Sequence, residues 1–202
     1  MQTSIPALLA FLIAAFFAAL ELTTSKYPRT IFLLGKCRYL YAYVAIYGSL
    51  SFGALLGLDA LVATKKITLE GIGLESIWVK AIIIGLSTKA LLHISLYNLT
   101  VGAKSFPLGT ETIVQLFEPW LLEEIFLFEF NEVSTFIAPR AARYSDLANV
   151  KTTIKNNLPS NFTGAERSGF EVGVDAQTSI AAAMEVYLRR FGKTNFARVF
   201  PL

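Results

Sequence analysis

Hydrophobic positions along the chain fall into two regimes. Up to about residue 101 they form three nearly unbroken runs, at residues 5–23, 39–63 and 77–101, separated by short segments that hold Lys, Arg and Glu. Beyond residue 101 they recur at helical spacing among charged residues. Each run approaches or exceeds the ~20 residues a helix needs to cross ~30 Å of hydrocarbon. The pattern predicts an all-α membrane protein: about three transmembrane helices within residues 1–101, then a small, mainly helical cytoplasmic domain over residues 102–202.

Within the second regime, Thr110 suits the cap of a helix running toward Pro119, where a helix can restart with proline at its first position. Residues 119–137 are apolar around almost the whole circumference, so that helix must be buried on several sides. Glu118, Glu123, Glu124, Glu129 and Glu132 punctuate it and make it a poor fourth span; it reads as the core helix of the soluble domain or a helix shared between protomers. Pro139 is expected to stop it. Ser145 is expected to cap a short helix to about Asn157, and residues 160–173 read as a Gly/Ser/Asn loop. Asp175 would then cap a last helix over residues 178–191, ended by Gly192.

An apolar share of 54% with a positive mean hydropathy supports the membrane assignment. Residues 1–101 hold eight Lys/Arg against four Asp/Glu, and residues 102–202 hold ten against eleven. The basic surplus therefore belongs to the membrane half, as topological anchors rather than a nucleic-acid surface. Lys26, Arg29, Lys36 and Arg38 follow the first run, and Lys104 follows the third; Lys65 and Lys66 lie between the second and third. Counting Lys and Arg alone, the first loop and the C-terminal half face the cytoplasm and the N-terminus lies outside, in the plasma (inner) membrane. The first run precedes its basic residues, so it reads as a retained span and not a cleaved signal. Tyr39, Tyr41, Tyr43, Tyr47 and Trp78 read as interfacial anchors.

Ser49, Gly53 and Gly57 recur every fourth residue of the second run, a spacing that lets another helix backbone approach; Ala10, Ala14 and Ala18 make a similar stripe in the first. These stripes serve either packing within one chain or a homo-oligomer. In the third run Gly85, Lys89, His93 and Tyr97 share an i, i+4 face. An ionisable residue at that depth faces a bundle interior or a wet cavity. Lys89 either pairs structurally or, with several copies assembled, lines an ion path that prefers anions. By depth, Glu21 can pair with His93 and Asp59 with Lys80.

Chemistry beyond this is sparse. Cys37 is the single cysteine, so there is no cysteine zinc site; His93, the single histidine, lies in the third run, no serine sits in a nucleophile elbow, and no Gly-rich phosphate loop occurs. No catalytic or metal site and no cofactor are predicted. Arg140, Arg143, Lys151 and Lys155 form one basic group, and Arg189, Arg190, Lys193 and Arg198 a second. They are solvated or lipid-facing charge, or they converge on a small anionic ligand. The expected partners are the bilayer, further copies of the chain, and an anionic ligand or soluble protein. By architecture alone, the chain is similar to membrane effectors of prokaryotic defence and signalling systems. The expected function is an oligomeric membrane effector that senses a ligand or partner and forms or gates a pore; the alternative is an anchoring subunit of a larger complex.

Overall fold

A computed structural model describes residues 4–64, 76–92, 97–101, 104–108, 110–160 and 162–202, with side chains described except at 89–92, 97–101, 104–108 and 110–115. In chain order the elements are α1 (Ser4–Glu21), α2 (Arg38–Ala63), α3 (Ile77–Leu92), β1 (Tyr97–Val101), β2 (Lys104–Leu108), α4 (Thr110–Ala141), α5 (Leu147–Asn156), α6 (Gly164–Asp175) and α7 (Ile180–Val199). A π turn, Leu22–Lys26, extends α1, and a 3-10 turn, Ile31–Lys36, precedes α2. The described residues are thus helical apart from one hairpin.

Two helical stretches, Ser4–Lys26 and Arg38–Ala63, are long and apolar enough to cross a membrane. The third run departs from expectation. Its helix is described from Ile77 to Leu92, and residues 93–96 lie outside the described residues. Tyr97–Val101 pairs antiparallel with Lys104–Leu108 instead, Tyr97 opposite Leu108 and Val101 opposite Lys104. The signal was a change of period: Tyr97, Leu99 and Val101 alternate with Asn98 and Thr100, as strand residues do.

The chain forms two compact units. The first comprises Met1–Lys26 and Cys37–Ile125; the second comprises Tyr27–Lys36 and Phe126–Leu202. The division lies inside α4, well beyond residue 101. In the first unit α1, α2 and α3 pack on one another around Ala7, Ala10, Leu55, Ala81 and Ile84. Small residues are what the close contacts require. A Cβ on Gly85 would stand 2.8 Å from Ile13 Cβ and 3.1 Å from the Ala10 carbonyl oxygen, and one on Gly48 would stand 2.7 Å from the Phe11 ring.

The second unit is built on Val133, Ile137, Val150, Ile154, Met184, Leu188 and Phe196, with Phe32 and Leu33 packed against them. Its helix starts follow local hydrogen-bond chemistry. Asp146 caps α5 by accepting from the Ala148 N–H, and Ser179 caps α7 by accepting from the Ala182 N–H. These are the caps in place of Ser145 and Asp175. Residues 164–175 form a helix where a loop was expected, because Thr163 and Glu166 make a reciprocal capping box. Pro119 and Pro139 lie within the single helix α4 rather than at its breaks. Gly192 stops the helical stretch that begins at Ile180, as expected: it adopts φ 76° and ψ 178°, and a second helical stretch continues beyond this kink to Val199.

Candidate functional site

The surface of the first unit is inverted relative to that of a soluble bundle. Along α1 the alanines Ala7, Ala10, Ala14 and Ala18 are buried, while Ile5, Leu8, Leu12 and Phe16 are each more than half exposed. Trp78, Ile82, Ile83 and Leu86 on α3 and Leu56 and Leu61 on α2 are exposed as well. Burying the smallest side chains and presenting the largest apolar ones suits lipid, where close backbone approach drives packing and the solvent is itself apolar. In water, so much exposed apolar surface would demand a partner.

Several polar groups inside this unit are matched across its helices, although Asp59 Oδ2 is buried with no hydrogen-bond partner among the described residues. Lys80 Nζ lies 2.8 Å from Asp59 Oδ1, joining α3 to α2 with both side chains largely buried, the pairing expected from depth. Ser51 Oγ donates to the Ala10 carbonyl at 3.1 Å, and Thr88 Oγ1 donates to the Ile84 carbonyl. Tyr43 and Tyr47 are not interfacial anchors: both are buried, their rings 4.9 Å apart, and the Tyr43 hydroxyl donates to Glu118 Oε1 at 3.0 Å. Tyr41 and Trp78 are exposed, as anchors should be. A crevice of about 380 Å³ opens among Ala14, Glu21, Tyr47, Gly85 and Thr88.

The face proposed to line a path divides. Gly85 is buried against α1, where its missing side chain permits the contact with Ala10 and Ile13, so at that level the face is already occupied. The side chains of Lys89 and Tyr97, and all of His93, lie outside the described residues. The Ser49, Gly53 and Gly57 stripe behaves oppositely. All three are exposed, and a Cβ on either glycine would meet nothing within 4 Å. The buried face of α2 is instead Tyr43, Tyr47, Gly48, Ser51 and Leu55.

In the second unit the basic residues do not converge. Arg140 donates to the carbonyls of Phe200, at 3.0 Å, and Phe136, at 2.9 Å, and its guanidinium lies over the Phe136 ring. Burial lowers its pKa, the positive charge of Arg143 adding to the effect. It holds the end of α7 by hydrogen-bonding the carbonyl of its C-cap residue, Phe200. Arg189 grips the fully buried Glu129 with two bonds, of 2.6 and 3.0 Å, and reaches Glu185 at 2.8 Å. Desolvation disfavours its charge, but the hydrogen bonds to Glu129 and Glu185 outweigh it and its pKa is raised. Arg190 pairs with Glu166 at 3.1 Å and lies over the Phe162 ring. Lys151 donates to the Asp175 carbonyl, Lys155 pairs with the Asp175 carboxylate at 2.7 Å, and Lys193 stands over the Phe32 ring. Arg143 is exposed. Glu129 was read as one of several charges interrupting an apolar helix. Its place in the stripe Leu121, Ile125, Glu129, Val133, Ile137 shows it on the buried face.

Among the described residues no group of three or more His, Cys, Asp or Glu is placed to hold a metal. No family model, curated protein or solved structure matches the chain.

Proposed function

We propose that the chain is an oligomeric membrane effector. The first unit sits in the bilayer with the N-terminus outside, the second unit lies in the cytoplasm and receives a ligand or protein partner, and helices from several copies form or gate a path for ions. The observation that carries the membrane part is the inverted packing of α1, with alanines inward and Ile5, Leu8, Leu12 and Phe16 outward. Topology gains support from Tyr27–Lys36, which belongs to the second unit. A loop between two spans and the C-terminal residues that fold with it must lie on one side of the bilayer, and that loop carries Arg29 and Lys36. Assembly is supported by the open Gly53 and Gly57 face, which no helix among the described residues fills.

A second reading, an anchoring subunit of a larger complex, is favoured by Gly85: a glycine engaged in packing within the chain is not free to line a path between chains. Reconstitution in nanodiscs and vesicles separates the two. The effector reading expects a defined oligomer that leaks ions when triggered, and expects Gly53→Leu with Gly57→Leu to yield monomers without leak. A wild-type monomer that never permeabilises vesicles, yet copurifies with one stable partner, selects the anchor.

A further inference from the structure

We propose that the second unit binds a small organic anion in the cavity between the end of α5, the turn after it and the last turns of α7, with Arg198 reading the charge. This cavity measures about 380 Å³ and is lined by Asn156, Asn157, Ser160, Tyr187, Asn195 and Arg198, with apolar residues completing its wall. Its volume lies within the ~300–1,000 Å³ range of small-ligand sites.

The lining has a one-sided chemistry. Three carboxamides and two hydroxyls offer hydrogen bonds in both senses, one guanidinium supplies positive charge, and no carboxylate lines the space. Arg140, Arg167, Arg189 and Arg190 are all engaged by carboxylates or carbonyls of their own unit. Arg198 makes no hydrogen bond or ion pair with any other described residue. It stands exposed at the cavity wall, with its fork available for a carboxylate or phosphate.

The wall is preorganised. The Tyr187 hydroxyl donates to the Asn157 carbonyl at 3.1 Å, Asn157 Nδ2 donates to the Thr153 carbonyl at 2.8 Å, and Asn195 Nδ2 donates to the Phe191 carbonyl at 3.1 Å. Each of these carboxamides keeps its oxygen and one N–H for a ligand. Burial pushes the Tyr187 phenol up while the charge of Arg198, also on α7, pulls it down. One oxyanion on a neutral body rich in donors and acceptors satisfies this set.

The site gives the ligand sensing proposed above a location. Only its consequence for the membrane rests on that reading; binding does not. Calorimetry on the full chain in detergent uses AMP as the phosphate probe and N-acetylglycine as the carboxylate probe, with adenosine and N-acetylglycinamide as neutral counterparts. The expected result is that one anion binds, its neutral counterpart does not, and Arg198→Gln weakens binding by at least about tenfold. Asn195→Ala is expected to weaken it less. Arg198 has no structural partner, so an unchanged helical melt will show that the variant folds. Failure of both anions to bind at millimolar concentration, or binding indifferent to Arg198→Gln, overturns the site. Anion binding without any vesicle leak leaves the site standing and counts against the effector. A triggered leak with no anion bound does the reverse.

Discussion

Arg189→Gln is the substitution that tests the core of the second unit most sharply. Glu129 is 0% exposed on α4, and Arg189 on α7 is its ion-pair partner, with bonds of 2.6 and 3.0 Å. Removing one member of a buried pair leaves the other as an uncompensated charge and costs ~3–5 kcal/mol. The Arg189 side chain is 36% exposed, so water screens part of the interaction and the lower end applies, about 3 kcal/mol. Glu129→Gln leaves a neutral amide that can still accept a hydrogen bond, and about 1 kcal/mol is expected. The double variant should be more stable than Arg189→Gln alone, because the stranded carboxylate is gone. Hydrogen exchange on the full chain in detergent, read on peptides from α4 and α7, reports this locally. A loss of about 3 kcal/mol appears as roughly 150-fold faster exchange for amides that open with the unit. Less than about a fivefold change, or a double variant no better than Arg189→Gln, would refute the assignment of Glu129 as a buried, paired charge.

Gly192→Ala should destabilise the second unit by about 2 kcal/mol, because φ 76° with ψ 178° is a region only glycine occupies readily; exchange in residues 193–199 checks it. Thr163→Ala removes the cap of α6 and should cost about 1 kcal/mol, seen as faster exchange at the start of that helix. Hydrogen bonds from the Thr163 hydroxyl and backbone hold the Glu166 carboxyl below its ordinary value. Its contribution is therefore present above that ordinary value and lost as pH falls through the depressed one. Protection of α6 should hold down to the normal carboxylate range and fade only below it, so fading that begins near neutrality contradicts the cap. Gly85→Leu should lower the melting temperature in detergent, since its Cβ would collide with Ile13 and the Ala10 carbonyl. Gly57→Leu should leave the melting temperature of the monomer unchanged.

The two long apolar helices were legible in the sequence because length and continuity alone mark them. So was the Lys80–Asp59 pair, since both residues lie at one depth in neighbouring helices. The strand Tyr97–Val101 was not: hydropathy stays high through Tyr97, Leu99 and Val101, and only the alternation with Asn98 and Thr100 betrays it. The helix 164–175 was hidden by Gly164, Gly169 and Gly173, yet Thr163 and Glu166, three apart, were the readable signal of its start. Small-residue stripes could be found but not sorted. Ala10 and Ala14 turn inward and Gly53 and Gly57 outward, and which face a helix buries depends on neighbours distant in sequence. Similarly, charge clusters read from the chain left Arg140 and Arg189 as solvated or lipid-facing charge, or as contacts to an anionic ligand. Their actual partners, the Phe200 carbonyl and Glu129, are each 60 residues away.

The passage of Tyr27–Lys36 into the second unit sets a timing problem for a chain made from one end. About 90 residues separate this segment from Phe126, where the rest of its unit begins. At ~5–20 residues per second of synthesis, Phe32 and Leu33 wait on the order of 5–20 s before the helices that cover them exist. During that interval the two long helices are already made and the segment has no core to join. Whatever receives the growing chain must shelter a short apolar turn for that long, and the second unit closes only after the last helix has been released.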